Sequence, residues 1–253
     1  MGVYYFDTEY VNNNLYTNDI IELSLINSKS KNIFTSVIKL PYNLPHFNTK
    51  LTGITNNELN KRGVSFPEAF SSMLKFIDNE EETTDLSDVL WIAQDGFRTD
   101  YPMLISNAYK HDCAYMLRKL KDVKFADSMI AFKNLGYETP GLTALAKKFN
   151  INTNGQRHRS YMDVKILMQL CEQHHKGITF PKRSFSAISI YVEEQMPMSV
   201  HDVIFTKDMI MLMNLNEEER TAEFVRFLMP CVKKKTALQI KFIKDICNYF
   251  LQL

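Results

Sequence analysis

From Val3 to Tyr10 the chain is a dense apolar and aromatic run, broken by two acids, Asp7 and Glu9. Such a run predicts a central strand. Two further apolar runs follow, IIELSLIN from Ile20 and NIFTSVIKL from Asn32, with the polar spacer SKSK between them. The spacer suits a hairpin, so the chain is expected to open with three adjacent strands, mostly antiparallel. After a loop containing LTGIT (Leu51 to Thr55), apolar residues recur at helical spacing from Phe66 to Ile77. The acidic stretch from Asp78 to Asp88 is expected to be a solvated loop. VLWIA (Val89 to Ala93) reads as a buried strand, Tyr101 to Tyr109 as a helix and VKFAD (Val123 to Asp127) as a short strand. Thr143 to Phe149 and the strongly periodic Ser160 to Cys171 read as helices. Strand and helix alternate after the opening meander, which predicts an α/β sheet with helices on both faces.

The pattern changes after residue 174. HHKGITFPKR is basic and carries Gly and Pro, so residues 176–198 are expected to form a linker between a domain at 1–175 and a small all-helical domain or extension at 199–253. In that last region, Asn216 with Glu219 fits a helix start and Pro230 a helix end. Thr236 with Gln239 precedes a stripe of Leu238, Phe242, Ile246, Tyr249 and Leu253.

Length and composition add limits. The chain has 253 residues, 45% of them hydrophobic and 23% charged, ordinary for a soluble globular protein. A net charge of +1 gives no bulk attraction to nucleic acid, so any such surface must be a local basic cluster. No apolar run approaches the roughly 18–20 residues that span a bilayer. The opening MGVYYFD lacks the basic start and apolar stretch of a signal peptide. Cys113, Cys171, Cys231 and Cys247 are dispersed and form no close pair, as expected of reduced thiols. The expectation is an intracellular protein, cytoplasmic or nuclear, with no membrane contact.

Three places carry candidate chemistry. Residues two apart on a strand point to the same side, so Asp7 and Glu9 form a pair. Carboxylates inside an apolar run are costly unless something positive compensates them. A divalent cation explains the pair; a strand end with two solvated acids is the alternative. Asp100 stands at the start of a helix after a strand and a Gly-containing turn, where it is either a helix cap or a ligand. His158 precedes Asp163 by five residues in HRSYMD, again open between a surface pair and a site.

Taken together these segments resemble the DEDD superfamily of 3′→5′ exonucleases, in its histidine-containing form. FDTEY is similar to the first motif, IAQDGFRTDYPML to the second and HRSYMD to the third, over residues 3 to 172. The three-prime repair exonucleases are the most similar group, through LTGIT, the spacing from Ala93 to Leu104, FADSMIAFKNLG and LTALAKKFNI. Two departures stand out. The second motif reads Ala93-Gln94-Asp95-Gly96 where those enzymes have Ala-His-Asn-Gly, and Ser160-Tyr161-Met162 replaces smaller and acidic residues in the third.

The resemblance implies a ribonuclease H-like mixed sheet. It implies that Asp7, Glu9, Asp100 and Asp163 hold two Mg²⁺ or Mn²⁺ ions and that His158 is the general base. It implies release of nucleoside 5′-monophosphates from a nucleic acid 3′ end, DNA favoured over RNA. Substrate contacts are expected from Thr8, Tyr10, Leu51, Thr52, Ile54, Arg98 and Arg157. Lys147, Lys148, Arg159 and Tyr161 are further candidates for grip or stacking. A homodimer or a protein partner would engage the C-terminal helices. The competing reading is a non-catalytic nucleic-acid-binding scaffold of the same fold with a helical tail, like Exuperantia. Such scaffolds lose metal-binding acids, whereas all four stand here.

Overall fold

A computed structural model describes residues 2–12, 18–82, 85–152, 158–174 and 177–195. All of them belong to the first of two units into which the chain divides, 1–196 and 197–253. The helices expected at 199–253 lie outside the described residues.

Six strands form one mixed sheet: β1 (Gly2–Tyr10), β2 (Ile20–Asn27), β3 (Ile33–Val37), β4 (Val89–Ala93), β5 (Lys124–Asp127) and β6 (Lys182–Ser184). Their order is β3-β2-β1-β4-β5-β6. The first three form the antiparallel meander. β4 and β5 then run parallel to β1, and β6 closes the far edge antiparallel to β5. The helices are α1 (His46–Thr52), α2 (Asn56–Arg62), α3 (Phe66–Glu81), α4 (Asp100–Lys110), α5 (Ser128–Asn134), α6 (Leu142–Lys148), α7 (Ser160–Gln169) and α8 (Phe185–Gln195). No helix among the described residues is long and apolar enough to cross a membrane.

The two-residue period of β1 sorts its side chains between two cores. Tyr4 and Phe6 join Trp91 and Phe125 beneath residues of α3, α4 and α8, including Phe70, Ile77, Leu104 and Ile188. Tyr5, on the opposite face, joins Leu90, Ile92 and Ala126 beneath Leu145 of α6 and Val164 and Leu167 of α7. Layers of helix therefore cover both faces, as the alternation predicts.

Three stretches differ from expectation. α3 continues to Glu81, so the start of the acidic segment is helix rather than loop. Its acids have partners that hold them: Lys119 Nζ lies 2.8 and 2.7 Å from the Asp78 carboxylate, Asn32 donates to Glu80 at 2.8 Å and the Tyr4 hydroxyl to Glu81 at 2.6 Å. The LTGIT stretch is not one open loop. Leu51 and Thr52 end α1, which Gly53 closes at φ 75°, and the Thr55 side chain caps α2. Within the stretch expected as a linker, Lys182–Ser184 covers the edge of β5, and α8 buries Ile188 and Val192.

The turn from β4 into α4 aims the second acidic motif. Gly96 is required there, because an added Cβ would lie 2.5 Å from the Ala93 Cβ and 2.8 Å from the Tyr101 ring. Tyr101 then anchors α4 to the sheet. Its hydroxyl reaches the carbonyls of Trp91 at 3.1 Å and Ala126 at 2.8 Å, and its ring meets Phe125 edge-on at 4.8 Å. Tyr101→Phe is expected to cost about 1–2 kcal/mol through the lost hydrogen bonds. Tyr101→Ala is expected to cost about 3–5 kcal/mol, since a large cavity opens as well. Urea unfolding midpoints at constant slope measure both.

Candidate active site

Asp7 and Glu9 leave β1 on the face covered by α7, near the strand's end. Opposite them on β2 stand Ser24 and Glu22. Thr8, between the two acids, points the other way and meets Asp100 from α4. The Thr8 backbone N–H and hydroxyl donate to Asp100 Oδ1 at 2.9 and 2.8 Å, and the Thr99 hydroxyl lies 2.9 Å from Oδ2. The Asp100 carboxylate is thus turned to the strand that carries Asp7 and Glu9. α7 brings Asp163 to the same place, and His158 stands just before that helix. Single ligand atoms of Glu9, His158 and Asp163 all lie within 4.8 Å of one another.

The charges of these acids oppose one another. Burial, and then the carboxylates of Asp100, Asp163, Glu9 and Glu22, hold the Asp7 carboxyl well above the usual carboxylate range. Glu9 is pushed up to about 9 by burial and by Asp163, Glu22 and Asp100, with Arg159 opposing. Asp163 rises to about 7 through burial, then Asp100 and Glu22. Asp100 rises to about 6 through burial, limited by the bonds from Thr8 and Thr99. Crowded oxygen donors with an imidazole nearby are a donor set that divalent Mg²⁺ or Mn²⁺ fits.

Asp7 and Asp163 open on a cleft of about 840 Å³, which His158 also lines. Gln94, Thr143 and Lys147 are among the other lining residues, the last two spaced four apart on α6. The Gln94 side chain is itself held, donating to the Pro140 carbonyl at 2.7 Å and accepting from Ser128 at 2.5 Å. Asp95, at φ 59°, has its carboxylate 3.5 Å from Arg98.

The residues expected to touch substrate separate into groups. Tyr10 is partly buried, and burial with the nearby acids Asp100, Asp7, Glu9 and Asp95 raises its hydroxyl pKa. Thr8 is buried and committed to Asp100. Leu51 is exposed on α1. Thr52 is buried: its hydroxyl donates to the Asn48 carbonyl and accepts from the Ile54 N–H. Ile54 is fully buried with Ile21, Val37 and Leu59, so its side chain is unavailable to a ligand and only its backbone remains. Arg98 is exposed beside Asp95. Arg157 lies outside the described residues. Among the further cations, Lys147 lines the cleft, while Lys148 lies over the Tyr137 ring at 4.5 Å. Arg159 is drawn inward to Glu22 and Glu58 instead of facing a phosphate.

Glu22 escaped the sequence reading. It is wholly buried in the middle of β2, opposite Glu9. The available signal was a single charge inside the otherwise apolar run Ile20 to Leu23.

The family model described as Exonuclease, RNase T, matches residues 5–171. No curated protein matches the chain. Among solved structures, the nuclease domain of 3′hExo, a DEDDh family member, bound to rAMP, is 16% identical, with a TM-score of 0.59 over 71% of this chain and 96% of that one. A structure described as 3′-end specific recognition of histone mRNA stem-loop by 3′-exonuclease is 16% identical, with a TM-score of 0.55 over 72% and 89%. A full-length 3′-exonuclease is also 16% identical, at 0.55 over 71% and 84%. These likenesses establish the fold.

The raised carboxyls make stability depend on pH. In the unfolded chain they lose their protons near pH ~4, whereas the folded protein keeps them to higher pH. Their contribution is therefore present at low pH and lost as pH rises through about 6 for Asp100, about 7 for Asp163 and about 9 for Glu9. The melting temperature of the chain in EDTA should fall across that window, and Mn²⁺ added at about pH 8 should raise it again. Asp163→Asn should flatten the fall near pH 7.

Proposed function

The chain belongs to the RNase T exonuclease family, and on that premise we propose that it removes nucleotides one at a time from the 3′ end of a nucleic acid, using divalent metal ions. The observation that carries this reading is the meeting of Asp7, Asp163 and His158 on one cleft, with Glu9 within 4.8 Å of the last two and Asp100 near enough to raise the Asp7 carboxyl. A scaffold without catalysis would have no use for that repulsion.

The four carboxylates would hold two ions. When bound, such ions neutralise charge developing on the phosphoryl group and favour ionisation of the attacking water. The residues of the chain account for the rest. Asp7 and Glu9 sit on the central strand, Asp100 is fixed through Thr8, and Asp163 is fixed by α7, so the acids meet without rearrangement. His158 is exposed beside Glu9 and Asp163, where it can accept the proton of the attacking water. The water oxygen bonds to phosphorus, the bond from phosphorus to the 3′-oxygen of the penultimate nucleotide breaks, and that oxygen takes up a proton from solvent. A nucleoside 5′-monophosphate leaves. Lys147 and Thr143, which line the same cleft, are suited to meet the phosphate backbone.

The likeness to repair enzymes favours DNA, whereas two of the similar structures are described with rAMP or histone mRNA. Digestion of 3′- and 5′-labelled DNA and RNA oligonucleotides side by side assigns both polymer and direction. Mononucleotide release from the 3′ label, supported by Mg²⁺ or Mn²⁺ and abolished by EDTA, is the expected result. Internal cuts, or loss of the 5′ label first, would overturn it.

Asp7→Ala and Asp163→Ala are expected to remove hydrolysis while the far-ultraviolet circular dichroism stays native. His158→Ala is expected to lower kcat by about 10²–10⁴-fold. Wild-type turnover in either aspartate variant would refute the assigned roles.

A further inference from the structure

Arg159 follows His158 directly, yet its guanidinium is closed in by two carboxylates from separate elements. Glu22 of β2 accepts from Nε at 3.1 and 3.2 Å and from Nη2 at 2.6 Å. Glu58 of α2 accepts from the same Nη2 at 3.0 Å. Glu22 also accepts the Ser160 backbone N–H at 2.8 Å and its hydroxyl at 3.0 Å. The Ser160 hydroxyl lies 2.7 Å from that of Ser24, the residue opposite Asp7. The start of α7 is therefore tied to β2 beside both strand acids.

His158 itself has φ 57°, a left-handed conformation that a residue with a Cβ rarely adopts. Such a conformation persists only where its surroundings over-determine it. The residue that follows, Arg159, and the Ser160 N–H after it are both held by buried Glu22, so a constraint on the kink reaches His158 through the backbone.

We propose that Glu22, Arg159 and Glu58 form a positioning device that holds His158 in its left-handed kink beside Glu9 and Asp163. The proposal rests on the exonuclease reading. None of the three is a catalytic residue, since they act through the imidazole. The choice of arginine follows from its shape: a planar fork can bond two carboxylates at once, and an ammonium on a flexible stem does so poorly. Glu58 stands three residues after Thr55, so one cation joins the segment expected to meet the terminal nucleotide to the expected general base. Had Arg159 served only to neutralise Glu22, a bond from Glu58 and a bond from Glu22 to the Ser160 N–H would be superfluous.

The test is a set of double-mutant cycles in the full chain. Glu22→Gln, Glu58→Gln and Arg159→Lys are each made alone and with His158→Ala, and kcat and KM are measured on a 3′-labelled oligonucleotide at saturating Mn²⁺. Glu22→Gln should lower kcat by about 10–100-fold with KM changed less than about 3-fold. In the His158→Ala background the same change should cost less than about 3-fold, because the group it positions is gone. Arg159→Lys should fall between wild type and Glu22→Gln. Equal losses in both backgrounds would overturn the proposal.

If Glu22→Gln folds poorly, Glu58→Gln, at a partly exposed partner, carries the same cycle. Hydrogen exchange of the amides over 158–163, measured in EDTA, gives a readout free of activity. Faster exchange in Glu58→Gln and Glu22→Gln is expected, and unchanged exchange would refute the device. Should the wild type digest neither DNA nor RNA, the functional reading falls, while the exchange result still decides whether the clamp exists.

Discussion

Like charges gathered in a place of low dielectric repel, and this repulsion is the constraint around which the chain is organised. Asp7, Glu9, Asp100 and Asp163 come from a strand and two helices, and Glu22 adds a fifth carboxylate behind them. Such a group persists only if the backbone carrying it has little freedom to spread. Asp7 and Glu9 are accordingly on β1, paired with β2 along their own stretch, while β4 holds the strand just before them, from Gly2 to Tyr5. Asp100 is pulled in by two donors from Thr8, and the residue after it is locked into the sheet through its hydroxyl. Part of the excess charge is met by Arg159 at the base of the cluster. The remainder faces the cleft, where a divalent cation would relieve it. The same crowding that weakens the empty fold would drive the binding of ions, so affinity and stability are linked.

Much of this was legible in the residue pattern. β1, β2, α3 and α7 announce themselves because their apolar periods are long and consistent. Asp7, Glu9 and Asp163 stand out because a charge interrupts an apolar run. α1, α2 and β6 were not legible: seven, seven and three residues are too few to display a period. The role of Asp100 depended on Thr8, 92 residues away, and that of Glu22 on Arg159, 137 residues away. No local window contains both members of either pair. The burial of the Thr52 and Ile54 side chains was not legible for a related reason. Their segment turns between two short helices, and which side chains fall inward is decided by packing against Ile21, Leu44 and Leu59.

The two departures from the resembling motifs have different structural fates. Ser160 takes a place in a chain of hydroxyls from Thr35 through Ser24 to Glu22, so its polarity is used inside the fold. Asp95 instead occupies a left-handed turn position, which aspartate tolerates better than most residues, and faces Arg98. The first departure concerns how the helix is seated. The second places a negative charge beside Arg98.

The adjacency of Asp100 and Tyr101 has an evolutionary corollary. Consecutive side chains at one helix start serve opposite masters, one directed to Thr8 on β1 and the other to the interior between β4 and β5. A shift of α4 that improved the fit of the ring would move the acid, and the reverse holds too. Lineages that alter this interior must therefore change it in coordinated steps, whereas the outer surface of α6 can drift without such coupling.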